Sequence, residues 1–134
     1  MIENHGAAVL EAITFNDDGL VPAVAQQDGS GEVLMMAWMN AEALRETLAT
    51  GEVCYWSRSR GRLWRKGENS RQTQKLVEIR LDCDSDTLLL LVDQEGVACH
   101  TGRRSCFFRA LRNGKLETIA EVEVDPTALY SGKE

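Results

Sequence analysis

Residues 72–92 read QTQKLVEIRLDCDSDTLLLLV, and three different patterns meet there. First, Val77, Ile79 and Leu81 alternate with Glu78 and Arg80, the two-residue period of a strand with one buried face. Last, residues 87–92 form a continuous apolar run that fits a strand covered on both faces. Between them stand Asp82, Cys83, Asp84, Ser85 and Asp86. Two strands thus bracket a short segment of metal-ligating side chains, and the chain is read as β-rich.

Outward from this stretch the signals remain those of strands and turns. Val21–Gln27 and Glu32–Met39 flank Asp28-Gly29-Ser30-Gly31 and read as a hairpin, with Met35, Met36, Trp38 and Met39 expected in the core. Asn40 is placed to cap a helix over 41–50, AEALRETLAT, where Leu44 and Leu48 share a face and Gly51 supplies the stop. Residues 52–59 and 62–66 read as strands around Arg60-Gly61, and 67–71 as a polar loop. A turn at 94–96 leads into a loop from Cys99 to Cys106, and Asn113-Gly114 joins strands over 106–112 and 115–124. Before the turn signal Asn16-Asp17-Asp18-Gly19 the pattern is mixed and assigns no element. With no repeat or linker, residues 1–134 read as one α+β domain with one main helix and a flexible C-terminal tail from about residue 125.

A chain of 134 residues that is 43% hydrophobic can bury its own core. The N-terminus lacks a basic segment followed by an apolar one, and Leu88–Val92 is too short to span a bilayer, which predicts a soluble cytoplasmic protein. The net charge of -6 argues against general nucleic-acid affinity. The charge is uneven, however: Arg58, Arg60, Arg62, Arg65, Lys66 and Arg71 face one acidic neighbour, Glu68. With Trp56 and Trp64 interleaved, the stretch suits a zinc-stabilised single-strand nucleic-acid binding module; a solvated hairpin of snorkelling arginines reads equally well.

Cys83, Cys99 and Cys106 offer three thiolates, and zinc held by three protein ligands keeps a fourth position for water. No CxxC pair is present, so three buried structural cysteines are the other reading, and a two-disulfide framework would need an oxidising compartment. Asp82, Asp84 and Asp86 offer the hard oxygens that magnesium or calcium prefers, although a solvated acidic turn has the same composition. If residues 82–86 are extended, the carboxylates face one side and Cys83 the other. Cys83 is then expected to meet Cys99 and Cys106 of a second subunit. His100 suits proton transfer near neutrality or a structural hydrogen bond, and His5 has no pattern around it.

Three segments carry a more specific signal: WSRSRGRLWRKGE (56–68), RLDCDSD (80–86) and CHTGRRSCF (99–107). Together they closely resemble the motifs of the phosphoribosyl-AMP cyclohydrolase family, and the resemblance runs from about Gly19 to Phe108. It implies a hydrolase of histidine biosynthesis in which zinc-activated water attacks C6 of an N1-ribosylated adenine and the N1–C6 bond opens. It also implies Zn2+ and Mg2+, a pseudo-barrel of antiparallel strands capped by one helix, and an interlocked homodimer with active sites at the interface. The partner set it implies is a small-molecule substrate, with neither nucleic acid nor membrane. By matching position, Cys83, Cys99 and Cys106 are implied zinc ligands shared across the dimer, Asp82, Asp84 and Asp86 magnesium ligands, and His100 the proton carrier. Arg58, Arg60, Trp64, Arg65, Lys66, Glu68, Ser70, Arg103 and Arg104 are the implied substrate contacts, the basic ones serving two phosphates. Three positions depart from the family pattern: residues 67–71 read GENSR where GETSG is common, which changes Asn69 and Arg71, and Val97 stands where proline is frequent. No second, phosphoribosyl-ATP pyrophosphohydrolase domain is expected. A zinc nucleobase deaminase, the other chemistry at a purine C6, would need H-x-E and P-C-x-x-C, which are absent.

Overall fold

Val21–Gln27 (β1) and Val33–Met39 (β2) pair antiparallel, from Val21 opposite Met39 to Gln26 opposite Val33, in a computed structural model that describes residues 8–67 and 72–129. Val21, Ala23 and Ala25 alternate into the core, as the period of a half-covered strand requires. Met35 and Met39 are buried as expected, whereas Met36 is an exposed residue because it lies on the face of β2 opposite Met35.

The helix forms over Ala41–Thr50 (α1). Extended Asn40 accepts a hydrogen bond on Oδ1 from the Ala43 N–H at 2.8 Å. At the other end Gly51, with φ of 79°, donates to the Thr47 carbonyl, a left-handed position where a Cβ is costly. Ala43 and Leu44 enter the core and Leu48 packs at its margin. Thr47 Oγ1 accepts from the Cys54 N–H at 2.9 Å, tying the helix to the next strand.

Cys54–Ser57 (β3) and Arg62–Arg65 (β4) form a second hairpin, and Gln74–Leu81 (β5) and Leu88–Gln94 (β6) a third. The sheet order is β4-β3-β2-β1-β6-β5. Every neighbouring pair is antiparallel except β1 and β6, which run parallel from Ala23 opposite Leu88 to Gln27 opposite Val92. The sheet is therefore mixed, where the family resemblance implied antiparallel strands. A parallel pair needs a long crossover, and residues 28–87 provide it. The sheet curls so that the start of β5 reaches the segment ahead of β3: Glu52 bridges Lys75, Val53 N–H donates to Gln74 O at 3.0 Å, and Leu76 N–H donates to Gly51 O at 2.8 Å. The closure is local to that corner, with β4 and β5 remaining the outer strands.

The alternation in β5 is not the simple one expected. The register shifts between Leu76 and Glu78, which leaves Val77 exposed and brings Gln74 fully inside, while Ile79 and Leu81 still pack on the core. The last hairpin is also shorter than expected: Arg109–Arg112 (β7) pairs with Lys115–Thr118 (β8) around Asn113-Gly114. Ile119 N–H still donates across the hairpin to Phe108 O at 2.8 Å, and the residues after it turn back toward Gly102, whose carbonyl accepts from the N–H groups of Glu123 and Val124. Pro126–Leu129 (α2) is a helical turn where a tail was expected, and residues 8–12 are helical where no element was assigned. Glu68, Asn69, Ser70, Arg71 and His5 lie outside the described residues. Among the described residues no helix is long and apolar enough to cross a membrane.

Candidate metal centre

The segment between β5 and β6 turns tightly; it is not extended. Asp82 Oδ1 accepts from the N–H groups of Asp86 at 3.0 Å and Thr87 at 3.2 Å, while its carbonyl accepts from Ser85 N–H at 3.0 Å. Ser85 closes the turn at a φ of 61°, a left-handed conformation uncommon outside glycine. As a result Asp82, Asp84 and Asp86 each place a carboxylate oxygen within 4.8 Å of the others, all exposed. Their convergence thus comes from the turn and not from the pleat of an extended segment.

The trio is electrostatically divided. Loss of solvent pushes the Asp82 carboxyl up, but hydrogen bonds from the Asp86 backbone and side chain and from the Thr87 and Ser85 backbones together hold it below the usual range. Asp86 is held above that range, first by its side-chain hydrogen bond with Asp82, then by loss of solvent and by the charges of Asp82 and Asp84. Like charges at this spacing favour sharing one proton. A divalent cation would replace that proton, and three hard oxygens suit one.

The cysteine loop lies at the other end of β6. Ala98 N–H donates to Arg104 O at 2.9 Å, Cys99 N–H to Arg103 O at 3.1 Å, and Gly102 N–H to Cys99 O at 3.0 Å, which folds residues 98–104 into a closed loop. Its exit is fixed to β2, where β3 pairs only at Trp38: Cys106 N–H donates to Leu34 O at 2.7 Å and Ser105 Oγ to Val33 O at 2.7 Å. Cys99 and Cys106 are thereby brought close enough for their thiols to act on each other, while Cys99 Sγ also lies 3.0 Å from Thr101 Oγ1. Although Cys106 keeps open surface, its thiol is pushed up to about 12 by loss of solvent, then by the charge and hydrogen bond of Cys99, with Lys66 pulling the other way. Two soft sulfurs are therefore adjacent, a donor pair that fits zinc as thiolates.

Cys83 is not with them. It sits in the turn before β6, and the seven residues of β6 span roughly 20 Å at strand rise. Among the described residues the group of three metal-ligating side chains assembled within one chain is the aspartate trio. All four cysteines are free, which sets aside the disulfide framework.

The remaining site residues separate into outward and inward sets. His100 is exposed on the turn beside Cys99, and Arg60 is exposed at the tip of the β3–β4 hairpin. Arg58 lies over the Trp38 ring at 4.7 Å and Arg103 over the Phe108 ring at 4.2 Å, with Arg103 Nε donating to Ala120 O. Arg65 pairs with Glu46 at 2.6 Å, and Trp64 stacks at a tilt on Tyr55, 5.0 Å between centroids, against the core. Lys66 is buried, its Nζ donating to Ala98 O at 3.1 Å. Arg104 donates to Gln94 O, Gly96 O, Gln27 Oε1 and Glu32 Oε1. This arrangement does not present the row of outward rings and cations that single-strand binding uses.

Sequence reasoning missed four glutamines that shape the cysteine loop. Buried Tyr55 donates to Gln74 Oε1 at 2.7 Å, Gln74 Nε2 to Gln94 Oε1 at 2.8 Å, and Gln94 Nε2 to Val97 O at 3.1 Å. Gln72 Oε1 accepts from Val97 N–H, and Gln27 Oε1 from Gln94 N–H. Burial raises the Tyr55 phenol far above its ordinary value, so it stays a donor. Val97, where the family often has proline, uses its N–H in this network, which a proline could not supply. Glutamines at the ends of two apolar strands were the available signal.

The family model for phosphoribosyl-AMP cyclohydrolase matches residues 35–108. A Rhodospirillum rubrum protein called phosphoribosyl-AMP cyclohydrolase is 65% identical over 128 residues, covering 95% of this chain and 90% of that protein. Proteins of the same name from Alkalilimnicola ehrlichii and Paramagnetospirillum magneticum are 68% and 66% identical, over 92% of this chain and 87% and 94% of their own lengths.

Proposed function

The chain belongs to the phosphoribosyl-AMP cyclohydrolase family, and from that premise we propose that it hydrolyses phosphoribosyl-AMP at purine C6, on metal centres completed between two copies of the chain. One observation carries the structural part of this reading: Cys99 and Cys106 meet in a rigidly bonded loop, while the third motif cysteine lies a strand's length away beside a converged aspartate trio. Three thiolates from Cys83, Cys99 and Cys106 fit zinc, and the three carboxylates fit magnesium. Zinc bound there lowers the pKa of a water from about 15.7 to about 7, which makes a nucleophile available at neutral pH.

The chain's own residues do the rest. His100, exposed next to Cys99, moves the proton released as water adds at C6 and the N1–C6 bond opens. Arg58, Arg60 and Arg103 hold the two phosphates, with Arg65, Trp64, Glu68 and Ser70 completing the substrate wall. Arg104 shapes the loop from behind through its four internal acceptors.

A second copy supplies Cys83. Leu111 and Leu116, opposite each other on β7 and β8, are 72% and 66% exposed, and Phe107 and Ile119 extend the same hairpin's apolar surface. Paired apolar side chains left this open suit an interlocked homodimer that also completes the curl of the sheet. The proposal covers residues 1–134 as one cytoplasmic catalytic domain.

The test is direct. Phosphoribosyl-AMP is added to protein reconstituted with zinc and magnesium, and the ultraviolet spectrum is followed. Ring opening changes it with the wild type, and Cys99→Ser abolishes the change in a protein that remains folded. An unchanging spectrum with the wild type would overturn the assignment.

A further inference from the structure

Lys66 differs from the other cations of its stretch. It is 6% exposed, its N–H donates to Val53 O at 2.9 Å, and its Nζ donates to the carbonyl of Ala98, the residue before Cys99. A buried ammonium is costly unless it is paired. One carbonyl uses one of its three donors. Among the described residues, the groups able to carry negative charge that act on it are Cys106 and Cys99.

The charge count explains the placement. A divalent cation bound by three thiolates leaves one net negative charge in a partly dry loop, and Lys66 brings one positive charge to the same place. A phosphate contact is poorly served by a head group already enclosed and bonded to main chain. The structure assigns Lys66 as a positioning residue and buried counter-charge for the cysteine pair, setting how tightly Cys99 and Cys106 hold a soft cation. This inference rests on the metal reading given above and adds to it a residue that touches neither substrate nor metal.

Two properties of Lys66 can be separated, its hydrogen bond to Ala98 O and its charge. Lys66→Gln keeps a donor and loses the charge; Lys66→Arg keeps both. Zinc affinity of the full-length variants is measured by competition with a chromophoric chelator, and the thiolate-to-metal charge-transfer band is recorded with cobalt(II) in place of zinc. Thermal melts check the fold. Lys66→Arg is expected within a few-fold of wild type, and Lys66→Gln to weaken zinc by about ten- to a hundredfold with a displaced cobalt band. Should Lys66→Gln melt out, Lys66→Met, whose apolar head needs no partner in a buried site, removes the charge and the hydrogen bond together, and zinc affinity kept within a few-fold of wild type in it would overturn the role as well.

Wild-type affinity and an unmoved cobalt band in the folded uncharged variant would overturn the counter-charge role and leave only a hydrogen-bonded staple. Failure of the wild type itself to take zinc on its thiols would instead remove the metal reading, and the role of Lys66 with it. The wild-type control therefore tells the two failures apart.

Discussion

Asp86 and Asp82 share a hydrogen bond in a turn of five residues, and Asp86 is the carboxyl of the two held above the usual range. Cation binding requires both carboxylates, and the raised Asp86 keeps its proton to higher pH than an isolated aspartate. Affinity for magnesium should therefore fall as pH falls through that raised value, approaching about tenfold per pH unit where one proton is displaced. Calorimetric titration of Mg2+ across acidic to neutral pH measures the slope, and Asp86→Asn should flatten it while weakening binding at neutral pH. At this scale the chemistry was legible and the geometry was not. Three aspartates at alternate positions announced a hard-ligand cluster, but the left-handed Ser85 that gathers them carries no sequence mark. Lys66 and Arg104 were likewise legible as cations, while their inward direction depends on carbonyls distant in sequence.

Among the elements, α1 is the one whose sequence and structure agree most closely, because its limits are set locally. Asn40 caps its start, Gly51 ends it, and Leu44 faces the core. Asn40→Ala should cost about 1 kcal/mol, within the usual range of 0.5–2, through loss of the bond to Ala43 N–H. Chemical denaturation of the variant would show a lowered midpoint with an unchanged slope. The hairpins were legible for the same reason, since each turn declares itself. The bulge in β5 was not: it exchanges Val77 for Leu76 and Gln74 on the inner face, and the cause lies in pairing with β6. The parallel contact between β1 and β6 was hidden too, because nothing local in either strand states which edge it will join.

For the whole molecule, the separation of Cys83 from the Cys99–Cys106 pair makes the proposed dimer a matter of ligand count. Cys83→Ser and Cys99→Ser should each abolish ring opening alone. Coexpressed in equal amounts, they should recover about a quarter of wild-type turnover, since half the dimers are mixed and each mixed dimer has one complete centre. No recovery in demonstrably mixed dimers would place Cys83 outside the centre. The sequence motifs made three cysteines conspicuous; the distance between them could be known only once β6 was placed. The amides of Gln27, Gln72, Gln74 and Gln94 respond differently to pH. None gains or loses a proton in ordinary buffers, so acid leaves the supports of the sulfur loop untouched. A carboxylate in place of the Gln74 or Gln94 amide would set an anion where a donor stood, so either Gln→Glu exchange should loosen the sulfur loop in a protein whose neutral supports otherwise ignore pH.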